Sequence, residues 1–118
     1  MTVEADIFNV LKTLVTNRVY PDVAPLGTTR PYITYQQVGG QGVNFVEATA
    51  PSKKNARFQV NVWAATRSAA AVLSRQVEDA LRTTAALQCT VLAAPVAIYE
   101  EETQLYGTRQ DFSFWHAT

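Results

Sequence analysis

Residues 56–64 read ARFQVNVWA, and the alternation in this stretch decides the fold. Successive side chains of a strand point to opposite faces. Phe58, Val60 and Val62 therefore fall on one side, and Arg57, Gln59, Asn61 and Trp63 on the other. A strand with one apolar and one polar side belongs to an antiparallel sheet that packs a core on one face only. The apolar side locates the core, and the polar side is left for other contacts. Trp63 on that polar side is either half-covered by a loop or part of a protein interface, and the pattern suits both equally.

Downstream, Thr66 is placed to cap a helix running from Arg67 to about Thr83. Ala70, Leu73, Val77, Ala80 and Leu81 recur at helical spacing as its apolar stripe, and Arg75, Glu78, Asp79 and Arg82 form its wet side. Arg75 and Asp79, four apart, are expected to pair. The run 69–71, three alanines, allows the helix to approach a sheet closely. Residues 88–99 are apolar and partly β-branched, but Pro95 interrupts them, which suits an edge strand or a bulge. Glu100, Glu101 and Glu102 make an acidic turn. Residues 104–116 (QLYGTRQDFSFWH) form a long closing strand, with Tyr106, Phe112 and Phe114 on one face and Arg109, Asp111 and Trp115 on the other.

Upstream, residues 51–55 read as a polar, basic loop with Lys53 and Lys54 at a solvated tip, available to reach a partner. Residues 43–48 read as a strand, hairpin-paired across the Gly39, Gly40 and Gly42 turn with a strand at 31–38 (PYITYQQV). In the latter, Ile33 and Tyr35 share one face, and Tyr32 and Thr34 the other. Pro21 and Pro25 break the chain before it, after a short extended piece at Val19 and Tyr20. The chain opens on an amphipathic helix of about four turns. Thr2 is its cap, Glu4 and Asp6 lie in its first turn, and Ile7, Val10, Leu11 and Leu14 make its stripe. Asn17 and Arg18 close it. The expected architecture is α+β: an antiparallel β-sheet with two helices packed on one face, in the order α-β-β-β-α-β-β. A chain of 118 residues without repeats or low-complexity segments is expected to form a single domain, 1–118.

Composition narrows the function. Ten basic residues balance ten acidic ones, without the basic excess by which nucleic-acid binders hold phosphates. Zero net charge also removes the self-repulsion that keeps proteins apart, which favours an associating protein. The lone Cys89 allows no internal disulfide and fits a reducing cytosol. The N-terminal residues lack the basic region of a signal peptide, and no stretch approaches the ~20 apolar residues of a membrane span.

Catalytic constellations are thin. The single histidine, His116, and Cys89 would have to meet beside an activating neighbour to make a dyad. A buried cysteine is ordinarily a small hydrophobe. Cys and His together are too few for a metal site of their type, and the three glutamates lack the spacing of a calcium loop. The glycines at 39–42 are followed by neither a Lys-Ser pair nor a helix, so they do not make a phosphate loop. No catalytic residue, metal site or cofactor is expected.

Four stretches carry a family resemblance: EADIFNVLKTLV (4–15), RVYPDVAPLGTTRPYITYQQVGG (18–40), ARFQVNVWAATRSAAAVLSRQVEDAL (56–81) and TQLYGTRQDFSFWHA (103–117). In order and over almost the whole chain, they resemble the tail-completion proteins of siphophages and prophages, also called tail-terminator or tail-to-head joining proteins. The most specific pieces are Arg18-Val19-Tyr20-Pro21, Pro31-Tyr32-Ile33, Phe58 to Trp63, and Asp111 to Trp115; all are fold signatures. The resemblance implies a virion structural protein without catalytic activity, assembled in the host cytoplasm. It implies a ring, typically hexameric, at the head-proximal end of the tail. That ring would end polymerisation of the tail tube protein and meet the head–tail connector protein. DNA would pass through without specific binding, which suits a neutral chain. The interface residues expected on this basis are Gly40, Lys53, Lys54, Arg57, Gln59, Asn61 and Trp63. Two other readings stand beside it. One is a small-ligand-binding or enzymatic α+β module, resting on the fold pattern and on Tyr32, Tyr35, Trp63 and Trp115. The other is another phage neck or tube protein of similar fold.

Overall fold

The computed structural model describes residues 2–117. Its elements follow as α1 (Val3–Leu11), β1 (Val19–Pro21), β2 (Tyr32–Gln37), β3 (Lys53–Ala64), α2 (Arg67–Arg82), β4 (Thr90–Val91), β5 (Val96–Glu100) and β6 (Leu105–Ala117). The α+β class and the expected order of helices and strand groups are found. The sheet runs β1-β2-β3-β6, and both β4 and β5 pair with the far side of β6. Its backbone is the antiparallel β3–β6 pair, in unbroken register from Lys53 opposite Ala117 to Ala64 opposite Tyr106.

Alternation in β3 and β6 does what the sequence pattern requires. Phe58 lies opposite Phe112, and Ala56 opposite Phe114. Phe58, Phe112 and Phe114 are completely buried, their rings 5.8 Å (Phe58–Phe114) and 6.1 Å (Phe112–Phe114) apart. Burying each such side chain stabilises by roughly 1.5–3 kcal/mol. α1 contributes Val3, Ile7 and Leu11, and α2 contributes Ala70, Leu73, Val77 and Leu81. These three-and-four spacings stack one face of each helix on the same side of the sheet. The threonine caps form as expected: Thr2 Oγ1 accepts from the Ala5 amide and Thr66 Oγ1 from the Ala69 amide, each at 3.1 Å.

The structure corrects several local expectations. Residues 43–48 are not a strand, and β2 pairs directly with β3. Strand propensity at Val43, Phe45 and Val46 finds no neighbour to pair with, because β6 and β2 already occupy both edges of β3. Lys53, Lys54 and Asn55 belong to β3 rather than to a loop, since β6 extends far enough to give them Ala117, His116 and Trp115 as partners. β1 runs parallel to β2, Val19 beside Ile33, so the sheet is mixed. Residues 88–99 split into two short strands either side of Pro95. The first helix ends at Leu11 and tightens into a single 3-10 turn. In α2 the pair that forms is Glu78 with Arg82, at 3.2 Å, and not Arg75 with Asp79. An acidic residue N-terminal to its basic partner suits the helix dipole, and the reverse order does not.

Buried polar groups also occur on the helix side of the sheet, Thr108 and Gln110 of β6 among them. Gln110 is 4 % exposed, and its Nε2 donates to Glu78 Oε1 at 2.7 Å and to the Ala93 carbonyl at 2.9 Å. That hydrogen bond, helped by Arg82, holds the Glu78 carboxyl below its ordinary range against the opposing effect of burial.

Candidate functional site

Among the described residues, no helix covers the other face of the sheet. Its rows are Tyr32, Thr34 and Gln36 of β2; Asn55, Arg57, Gln59, Asn61 and Trp63 of β3; and Gly107, Arg109, Asp111, Ser113 and Trp115 of β6. Arg57 reaches diagonally across the ladder, its Nη2 2.6 Å and its Nε 3.1 Å from Asp111 Oδ2. The pair stays wet, with the arginine side chain 50 % exposed. Asn55 donates to Ser113 Oγ at 2.8 Å and to the Phe114 carbonyl at 3.1 Å, while its Oδ1 accepts from the Gln41 amide. Asn61 Nδ2 lies 3.5 Å from both Thr34 Oγ1 and Gln59 Oε1.

This face has two different ends. At the β3 start, the segment after β2 stays on the edge of β3. The Val38 amide donates to the Arg57 carbonyl and the Arg57 amide to the Gly39 carbonyl, both at 2.8 Å. Gly40 then presses on the strand with φ +147, where a Cβ would stand 2.5 Å from the Asn55 carbonyl oxygen. Residues 41–52 leave this anchor as a loop that exposes Phe45 and, completely, Val46. At the β3 end, the segment 22–30 and the sheet together border a half-open cavity of about 490 Å³. Tyr32, Asn61, Trp63 and Leu105 form part of its wall, and Arg30 and Glu100 border it. Trp63 lies against Gly107, where a Cβ would come within 2.8 Å of the indole and 2.6 Å of the Val62 carbonyl oxygen. Burial first, then the charge of Glu100, pushes the Tyr32 phenol above its ordinary value despite Arg30.

The expected interface residues are therefore not one patch. Arg57, Gln59, Asn61 and Trp63 share the open face of β3. Gly40 and Lys53 lie at its start, and Lys54 is exposed opposite His116 on the alternate parity. Trp63 borders the cavity at the far end. The cavity under 22–30 was not anticipated. Pro21 and Pro25 marked a break in the chain, but only the fold shows that the segment after it borders Tyr32, Asn61 and Trp63. The contribution of β6 to this face, through Arg109, Asp111 and Ser113, likewise depends on register.

Burial pushes the Cys89 thiol up to about 11, which leaves little nucleophilic thiolate near neutral pH. The His116 ring lies 3.3 Å from its neighbour's carbonyl, Ala117, and no hydrogen bond joins it to Cys89 among the described residues. Among those residues, no group of three His, Cys, Asp or Glu side chains is placed to hold a metal, and no helix is long and apolar enough to cross a membrane.

Eighteen solved chains resemble this structure. One superposes with a TM-score of 0.58 over 98% of this chain and 89% of its own, at 12% identity, a likeness of fold alone. Among curated proteins compared, none matches significantly. A profile of the family described as "Tail completion protein gp17" matches residues 8–117, from the middle of α1 to the last residue of β6. The chain belongs to that family, and is a structural tail-completion protein of a bacteriophage virion.

Proposed function

We propose that the protein caps the head-proximal end of the phage tail tube, ends its polymerisation and forms the joint to the head connector, acting as a ring, typically of six copies. Membership of the tail-completion family over nearly the whole chain carries this reading. The wet, helix-free face of the β2–β3–β6 sheet supports it, because a ring subunit needs surfaces beyond its own core for neighbours above, below and beside it. Its partners are further copies of itself, the tail tube protein and the connector. It assembles in the host cytoplasm. The balance of ten basic and ten acidic residues suits a passage for DNA that does not retain it by phosphate contacts. On this reading, Gly40, Lys53, Lys54, Arg57, Gln59, Asn61 and Trp63 contribute to the contacts, those near the β3 start acting separately from Trp63.

Electron microscopy of particles made without this protein tests the proposal. Tails of uncontrolled length, or finished tails lying beside filled heads they never join, are the expected result. Normal, fully joined and infectious particles would overturn it.

A further inference from the structure

Phe45 and Val46 are apolar, 47% and 100% exposed, and carried on a loop anchored at the start of β3. The cavity beneath 22–30 lies at the other end of the same strand. Asn55, which holds the loop, and Trp63, which borders the cavity, are eight residues apart in an extended chain, about 26 Å at the rise of a strand. Among the described residues, none of 38–52 lines the cavity. Within one subunit the apolar tip and the cavity are therefore anchored at opposite ends of β3.

The two ends are complementary. The cavity offers the aromatic surfaces of the half-buried Tyr32 and Trp63, and its volume falls in the range of roughly 300–1,000 Å³ of protein ligand pockets. Arg30 borders it, exposed and without a hydrogen bond or ion pair among the described residues; Glu47, also exposed, follows Val46 directly on the loop. Exposed Lys53 and Lys54 stand at the loop end, and exposed Glu100, Glu101 and Glu102 at the cavity end. The cavity lining is mixed, with Asp22, Arg30 and Glu100 beside Tyr32 and Trp63. The apolar tip against its aromatic wall, with Glu47 towards Arg30 and Lys53 and Lys54 towards the glutamates, defines a heterologous, head-to-tail contact, the kind that closes into a ring when the rotation per subunit fits.

We infer that the cavity under residues 22–30 receives the Phe45–Val46 tip of a second copy of this chain, with Glu47 of that copy set against Arg30. The inference rests on the ring reading and names the contact that would build the ring.

The test uses tails assembled with the full chain carrying Val46→Cys and Thr103→Cys in a Cys89→Ser background, treated with a short bis-maleimide. Thr103 borders the cavity. A ladder of bands at multiples of the chain mass is expected on a denaturing gel, absent from either single-cysteine variant. Capped tails of normal length with only monomer bands, or with a band joining the chain to the tube protein, would overturn the contact and leave the capping role standing. Wild-type tails without any ring would remove the capping role and this contact with it. A second pair of variants serves if the double cysteine fails to assemble. Glu47→Arg is expected to lower the yield of infectious particles by at least roughly tenfold, since like charges then face each other across the interface. Adding Arg30→Glu is expected to restore it. Failure of that restoration, with both variants folded by circular dichroism, would also overturn the contact.

Discussion

The two faces of the central β3–β6 pair are built from alternate residues of the same two strands, yet they behave as different materials. On the helix side, Phe58, Phe112 and Phe114 are completely buried under α1 and α2. On the open side, Arg57, Gln59, Asp111 and Ser113 occupy the intervening positions and stay partly or largely in water. Face-to-face neighbours along one strand thus differ in what a substitution should do. The helix side determines whether the chain folds, while the open side is free to be shaped for contact. Gly107 and Trp63 are the exception, because there the open side is packed as tightly as a core.

The largest expected effect is on the helix side. Phe112→Ala should destabilise by about 3–5 kcal/mol, measured as the shift in urea unfolding, because it leaves a cavity among Phe58, Phe114 and the helices. A loss below about 1 kcal/mol would erase the contrast between faces. Gly107→Ala probes the exception. The new Cβ must displace the Trp63 indole and the Val62 carbonyl, at about 1–3 kcal/mol, and a thermal melt together with a tryptophan emission shift should report both. Glu78→Gln separates a polar contact from apolar packing on the helix side. The folded Glu78 carboxyl titrates below its ordinary value of 4.5, so the stability it adds is fully present above that value and is lost as pH falls through the folded one. The wild type should exceed the variant by about 1 kcal/mol at neutral pH, and the gap should close on acidification; a gap independent of pH would contradict the assigned cause. The smallest effect belongs to the open side. Arg57→Ala should cost less than about 1 kcal/mol in the same urea assay, as exposed ion pairs do.

The two faces differed in how far they could be read in advance. Residues 56–64 announced their alternation because burial on one side alone produces a period of two. The helices announced themselves through the spacing of Ile7 and Leu11 and of Leu73, Val77 and Leu81, and through the Thr2 and Thr66 caps. Residues 43–48 misled, because β-propensity measures fit to a pleated neighbour and no neighbour is there. Lys53 and Lys54 misled in the opposite sense, since their strand state comes from Trp115 to Ala117, far along the chain. The Gln110–Glu78 bond was hidden for the same reason, with Glu78 read as part of a wet helix face. Of the candidate site, the β3 residues were legible from one strand alone. The cavity needed the fold of 22–30 over Asn61 and Trp63, which no local pattern encodes.

The register of β3 with β6 also has a consequence in time. Arg57 and its partner Asp111 are 54 residues apart in the chain. At the ~5–20 residues per second of synthesis, β3 waits roughly 3–10 seconds for the strand that completes its ladder. Throughout that wait a strand of 12 residues presents an open edge, the arrangement most prone to pair with a stranger. α2 is made directly after β3, so the helix that covers the Phe58, Val60 and Val62 face in the fold is synthesised before the strand that closes its edge.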